Sequence, residues 1–248
     1  MLHWLYQLTA LLNRLFGADV TALMARFGVH PAHPAHPINN RLTLQLIVAA
    51  GLILFFIYVR LRLSVEHPGK SQHLAEMVFE YVEGQAVDIM QHGYEPYLSY
   101  ATVIGVFILL CNLMGLLPGI ETPTASPVVP LGLAILTFIY YNMHGLWKQG
   151  PISYFKHFLG PVWWMTPLML PMEIVSHLAR VLSLTVRLYA NMFASDLLTL
   201  VFFSLFPIGL PIVFLGLHFA VAVIQSYVFM LLTLIYLTQA VSHDEAEL

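Results

Sequence analysis

Charge is what this chain most conspicuously lacks. Of its 248 residues only 9% are Asp, Glu, Lys or Arg, where a soluble domain carries about 25%. With 59% hydrophobic residues it has too few polar groups to cover its own surface in water, which excludes a soluble globular fold. A membrane helix takes about 20 apolar residues, so the length has room for about five or six spans with short connections. The fold class expected is an all-α, polytopic membrane protein.

Other absences narrow the function. Cys111 is the sole cysteine, which leaves no disulfide framework and no cysteine-based zinc site. A net charge of -3 argues against nucleic acid, which asks for a basic face. The N-terminus has no basic region leading into an apolar core and a small-residue cleavage site, nor an Arg/Ser-rich transit composition. Insertion is therefore expected to be directed by the membrane helices themselves. Neither Gly-x-Ser-Gly nor His-Glu-x-x-His occurs, which removes the motifs an intramembrane protease needs. A bis-histidine haem site is disfavoured because Gly145, Gly150 and Pro151 break any helix joining His144 to His157. A self-contained channel or transporter stays open as the alternative. Such a protein conducts when purified alone, and transporters often carry internal repeats, which this sequence lacks.

What is present is organised by hydrophobic periodicity. Residues 1–41 comprise an N-terminal amphipathic segment and a linker. Trp4, Leu5, Leu8, Leu11, Leu12, Leu15 and Phe16 recur at helical spacing beside Asn13, Arg14 and Asp19, as in a helix lying in the membrane interface. His30-Pro31-Ala32-His33-Pro34-Ala35-His36-Pro37 suits polyproline II, which places one residue type along one edge. The plain reading is a stiff linker; His30, His33 and His36 on that edge could also hold a metal weakly. Residues 42–241 form a single transmembrane domain with spans at about 42–59, 97–117, 128–147, 172–206 and 209–241, and an amphipathic helix at 71–92 with Ser71 as its cap. In that helix Leu74, Met77, Val78, Tyr81, Val82, Ile89 and Met90 make one stripe. Residues 242–248 are an acidic cytoplasmic tail.

Basic residues orient the spans. Arg60, Arg62 and Lys70 follow the first, Lys148 and Lys156 follow the third, and the turn at 118–127 has neither Lys nor Arg. The positive-inside rule then puts the N-terminus outside and the C-terminus in the cytoplasm. Three spans stand roughly perpendicular to the bilayer. The other two are too long for that: residues 172–206 number 35, about 52 Å of helix at about 1.5 Å per residue, where even a 40° tilt accommodates only about 26 residues. These two are expected to lie steeply tilted, curved around something else in the membrane.

The long pair also carries charge. Glu173, Arg180, Arg187 and Asp196 lie in the first, His218 and Gln225 in the second. Four ionised groups facing lipid would cost on the order of 10 kcal/mol, so they must face protein or water, either as structural ion pairs between helices or as functional groups. Glu173, Arg180 and Arg187 are seven apart and share a face, since seven residues drift by only about 20°. Asn191, one turn beyond Arg187, joins them. His218, Gln225 and Gln239 are expected to share a stripe of the second helix. Folding the hairpin at about residue 208 brings Asp196 and His218 to similar depth, and Arg187 near Gln225 mid-membrane, with Glu173 on the cytoplasmic side.

At Ser183-Leu184-Thr185-Val186-Arg187-Leu188-Tyr189-Ala190-Asn191-Met192 the chain resembles subunit a of the F-type ATP synthase membrane sector. Pro171-Met172-Glu173, Arg180, Asn112-Leu113-Met114-Gly115-Leu116-Leu117-Pro118, Pro68-Gly69-Lys70 and the run from His218 through Gln225 to Tyr236-Leu237 support the likeness, which covers roughly residues 66–241. The resemblance implies a proton-translocating stator subunit of a rotary ATP synthase. Its partners would be the c-ring of the rotor, peripheral-stalk subunit b, the remaining synthase subunits and the lipid bilayer of a bacterial inner membrane. It implies no cofactor, and no enzyme activity of the chain's own, the nucleotide chemistry lying on other subunits. Arg187 would be the essential arginine facing the rotor carboxylate. Asp196, His218 and Gln225 would line the outer proton half-channel and Glu173 the cytoplasmic one, supported by Arg180, Ser183, Asn191 and Gln239. The proton is the expected ion, with sodium open. Two positions depart from the pattern: Asp196 stands where bacterial members often carry Glu, shortening the reach toward His218, and Ala190 replaces a common Gly.

Overall fold

In the computed structural model the described residues are 3–26, 37–117, 120–150, 166–205 and 209–241. His30, His33 and His36, together with Lys156, Phe206 and the 242–248 tail, fall outside them. Among the described residues the protein is helical without strands. The helices are α1 (His3–Arg26), α2 (Asn40–Leu61), α3 (Lys70–Met90), α4 (Glu95–Leu113), α5 (Val128–Gln149), α6 (Thr166–Leu205) and α7 (Leu210–Val241). Short 3-10 turns at Met114–Leu116 and Pro123–Ala125 lie between α4 and α5. Five of the helices, α2 and α4 through α7, are long and apolar enough to cross a membrane.

Differences from the sequence reading have local causes. The amphipathic helix α3 starts at Lys70 with Gly69 as its cap and no side-chain capping bond, so Ser71 lies within the first turn. Its buried positions are Gln72, Val82 and Ala86, while Leu74, Met77 and Tyr81 stay exposed. The expected stripe is therefore split, because α3 packs its small face on its neighbours rather than its bulkiest one. Helix α6 starts six residues before the expected Met172 and runs through Pro171. Pro167 sits in its first turn, where the missing N–H has no intrahelical partner anyway, so Pro171 forfeits a single bond one turn in.

α1 docks on the start of α2 through side-chain hydrogen bonds. Asn13 Nδ2 donates to the Ile38 carbonyl at 3.0 Å, and the Ile38 N–H donates to Asn13 Oδ1 at 3.0 Å. The Thr9 and Thr43 hydroxyls are 2.9 Å apart, and Thr9 also donates to Asn40. Leu5 is buried in this contact, whereas Trp4, Leu11, Leu15 and Phe16 face outward. Arg41 at the start of α2 pairs with Glu121 at 2.7 Å, so the beginning of α2 and the turn between α4 and α5 lie at one end of the molecule.

The core forms where α4, α5, α6 and α7 meet, around Ile104, Ile108, Ala134, Leu184, Leu188, Met192 and Phe229. Ala101, Ala134 and Ala222 are fully buried, consistent with the small residues that let membrane helices approach closely. α3 joins this core through Val82 and Ala86 against Leu98, Ala101, Met230 and Leu234, and Tyr227 Oη donates to Gln85 at 2.8 Å. Hydroxyls inside the helices are satisfied one turn back: Thr102, Thr185, Thr233 and Thr238 each donate to the carbonyl four residues before. Polarity that lipid would penalise is thereby absorbed within the helix.

Asn13 holds both backbone groups of Ile38. Asn13→Ala leaves them without that partner, at a cost of about 1–3 kcal/mol where the site stays dry. Amide hydrogen exchange across α1 should accelerate relative to α2; equal exchange in variant and parent would show that the docking does not depend on this residue.

Candidate functional site

The hydrophobic interior between α4, α6 and α7 is interrupted by a polar cluster. His218, on α7, is 1% exposed and has a partner at each ring nitrogen. Its Nε2 lies 3.1 Å from the carbonyl oxygen of Asn112. Its Nδ1 lies 2.9 Å from Ser195 Oγ and 3.5 Å from Asp196 Oδ1. A carbonyl only accepts, so Nε2 carries a proton and Nδ1 is the nitrogen left to face Ser195 and Asp196. Asn112, fully buried near the end of α4, is held by Thr124, which donates to its Oδ1 at 2.6 Å. Thr122 donates to Asp196 Oδ1 at 2.8 Å. The turn between α4 and α5 thus reaches both long helices more than two turns inside their hairpin ends to fix the carboxylate and the imidazole. Gly115 makes this close approach possible: a Cβ there would strike Thr122 Oγ1 and the His218 ring.

A second feature opens beside the cluster. Asn191, Ala194, Ser195, Leu198, Leu217, Val221, Ile224 and Gln225 line a cleft of about 290 Å³ between α6 and α7. Asn191 Nδ2 donates to Gln225 Oε1 at 2.9 Å across it. Gln225 thus bonds to Asn191 rather than to the guanidinium one turn away. Arg187 lies on the open side of α6 among exposed Leu182, Ser183, Val186 and Ala190, and its Nη2 donates weakly to Ser183 Oγ at 3.5 Å. Among the described residues no carboxylate forms an ion pair with it.

A third group lies fourteen residues before Arg187, about 21 Å along the helix at about 1.5 Å per residue. Glu173 Oε1 is 3.4 Å from His177 Nε2, and His177 Nδ1 is 3.0 Å from Tyr141 Oη on α5. Between this group and Arg187, Arg180 stacks over the Tyr236 ring of α7 at 5.3 Å. Among the described residues no three His, Cys, Asp or Glu side chains gather as a metal site requires.

Of the residues singled out from sequence, the fold brings Asp196 and His218 together and sets Gln225 beside Asn191. It keeps Glu173 apart from both and leaves Ser183 and Arg187 on the open face. Gln239 is exposed, off the buried stripe of His218 and Gln225. Fourteen residues accumulate about 40° of drift, enough to turn it outward. Ser195, Asn112, Thr122, Thr124 and His177 were not anticipated. Ser195 sits one turn beyond Asn191 and was detectable by spacing, whereas the Asn112 carbonyl and the threonines of the turn become partners only through tertiary contact.

Residues 42–238 match the family described as ATP synthase A chain. Over 235 residues the chain is 50% identical to the ATP synthase subunit a of Koribacter versatilis, covering 95% of this chain and 96% of that one. Over 205 residues it is 46% identical to the ATP synthase subunit a of Solibacter usitatus, covering 83% and 88%. Over 202 residues it is 38% identical to the ATP synthase subunit a of Sulfurimonas denitrificans, covering 81% and 90%.

Gly115→Ala must push Thr122 and the His218 ring apart. An overpacked site of this kind costs about 1–3 kcal/mol, so a lower melting temperature and a longer His218–Asn112 distance are expected in the variant. An unchanged structure and melting temperature would mean that the turn has slack there.

Proposed function

The chain belongs to the ATP synthase subunit a family, and from that premise we propose that it is the stator through which protons reach and leave a rotating ring of carboxylates. Arg187 is the group each carboxylate must meet, and the Asp196–His218 and Glu173–His177 groups are the two ends of the proton path. The observation that carries this reading is the state of Arg187: a permanent cation on the open face of a long membrane helix, with a hydroxyl as its only side-chain partner among the described residues. A structural arginine would be paired within its own chain.

The physical chemistry follows from that cation. A rotor carboxylate must be neutral to travel through lipid and charged to give up its proton. At about 4 Å and an effective dielectric of about 20, the guanidinium favours the charged form by roughly 4 kcal/mol. That amounts to about a thousandfold bias toward proton release. Arginine keeps its own proton throughout, so it also repels protons moving straight from one group to the other. Asp196, about 13 Å from Arg187 along the helix at about 1.5 Å per residue, and His218 supply the titratable pair on the outer side. Histidine has the ordinary pKa nearest neutrality. Glu173 with His177 and Tyr141 forms the cytoplasmic counterpart. One proton crossing about 100 mV delivers only about 2.3 kcal/mol, which is why many passages must be summed by rotation.

The lengths of α6 and α7, 40 and 32 residues, support two tilted helices curved along the ring. The outside position of the N-terminus is supported by Lys148 at the end of α5 and by Arg60 in the last turn of α2. The division into an N-terminal segment, one transmembrane domain and an acidic tail belongs to the same proposal, as do the c-ring and subunit b as partners.

Arg187→Lys keeps a charge that can be lost in a low-dielectric site. ATP synthesis driven by an imposed proton gradient should fall by about a hundredfold or more, the scale of losing a positioned electrostatic group; normal synthesis would refute the assignment. Asp196→Asn should slow passive proton conductance of the membrane sector by about tenfold or more while the complex assembles in normal amount. Conductance equal to the parent would remove Asp196 from the path.

A further inference from the structure

In the Asp196–His218 group His218 is 1% exposed and the Asp196 side chain 29%, and the cleft between α6 and α7, which begins at Asn191 one turn beyond Arg187, is lined by other residues. Ser195 belongs to both. Its Oγ is 2.9 Å from His218 Nδ1, nearer than Asp196 Oδ1 at 3.5 Å, and the same residue lines the cleft with Asn191 and Gln225. On α6, Arg187, Asn191 and Ser195 follow one another at four-residue intervals, so the hydroxyl stands at the head of a polar row descending to the guanidinium.

We propose that Ser195 is a proton-transfer residue, carrying protons between His218 Nδ1 and the cleft lined by Asn191 and Gln225. This rests on the proposed reading of the chain as a stator in which His218 carries protons toward the ring carboxylate that Arg187 meets. The Asn112 carbonyl keeps the proton on Nε2, so exchange occurs at Nδ1. In neutral His218 the Nδ1 lone pair accepts the Ser195 hydroxyl. When His218 is doubly protonated, Nδ1–H donates to Ser195 Oγ, and the hydroxyl points its own proton toward the cleft. The Nδ1–H bond breaks as a new Oγ–H bond forms, and the original Oγ–H bond breaks as its proton passes to a water molecule in the cleft. That water hands a proton to the rotor carboxylate. The imidazole ends neutral with Nε2–H intact, the serine ends as a hydroxyl, and rotation about Cβ–Oγ resets it. Reversing each step serves pumping.

The step also makes sense of Asp196. The short aspartate is fixed by Thr122 and stays 3.5 Å from the ring, which leaves the closer place to the serine. Asp196, 3.5 Å from Nδ1, then delivers each proton from the outer side, its carboxyl O–H bond breaking as the Nδ1–H bond forms. As a carboxylate it holds charge against the imidazolium while Ser195 passes the proton on.

The test compares Ser195→Ala, Ser195→Thr and Ser195→Val in the assembled synthase in inverted membrane vesicles. Passive proton conductance of the stripped membrane sector and ATP synthesis are both measured, with the amount of assembled complex determined by immunoblot. Arg187→Ala serves as the companion variant. Threonine and valine have nearly the same shape, so their difference isolates the hydroxyl. The expected result is a loss of about tenfold or more in the alanine and valine variants, the lower range of a positioned proton-transfer group, with threonine within about threefold of the parent on the same scale. Threonine as slow as valine, or an assembled valine variant conducting like the parent, overturns the proposal. If the alanine variant does not assemble, the threonine–valine pair decides by the same criterion. Synthesis lost in Arg187→Ala but normal in Ser195→Val would reject the serine step alone. Synthesis retained in Arg187→Ala would reject the reading beneath it.

Discussion

An arginine in an apolar helix is a charge that cannot be titrated away, and the rest of the molecule is arranged around that constraint. Three other arginines are occupied: Arg41 by Glu121, Arg180 by the face of Tyr236, Arg62 by the face of Tyr58. Arg187 is left with a serine hydroxyl at 3.5 Å. Leaving a guanidinium so weakly held in a membrane helix is costly, and in the proposed reading an external carboxylate offsets that cost as it passes. Weak internal bonding is then a requirement, since a strong partner within the chain would compete with the rotor.

The same constraint explains why the titratable groups stand apart from the arginine and from each other. Were Asp196 beside Arg187, the two would form a permanent pair and neither would exchange protons. Asp196 is turned instead toward Thr122 and His218, and Glu173 toward His177. The turn between α4 and α5 makes the first of these arrangements possible. Gly115 lets it close over His218, and Thr124 positions the asparagine whose carbonyl selects the imidazole tautomer. Packing in this short segment thereby fixes a carboxylate and an imidazole on two helices distant from it in sequence.

Most of the helices were legible in the amino-acid sequence because lipid imposes length and apolarity on each span. The hairpin arithmetic that placed Asp196 level with His218 worked because both helices are regular between those points. Heptad spacing failed for Gln239, where its drift against 3.6 residues per turn had accumulated, and proline as a helix boundary failed at the start of α6, where prolines in an opening turn break little. The α3 stripe misled because hydrophobicity does not say which apolar face finds a partner, and Val82 and Ala86 found theirs in α4 and α7. The contacts that Asn112 and Thr122 make at the site escaped notice for a different reason. Their part depends on a backbone carbonyl and on a turn folding back across α6 and α7, and neither leaves a periodic trace.

The measurement that bears most directly on the central claim is a density map of the assembled membrane sector, resolving Arg187 against the ring. The account predicts its guanidinium within about 4 Å of a ring carboxylate, close enough for the attraction that drives proton release. A guanidinium pointing into lipid, or bound to a carboxylate of its own chain while the ring passes, would contradict it.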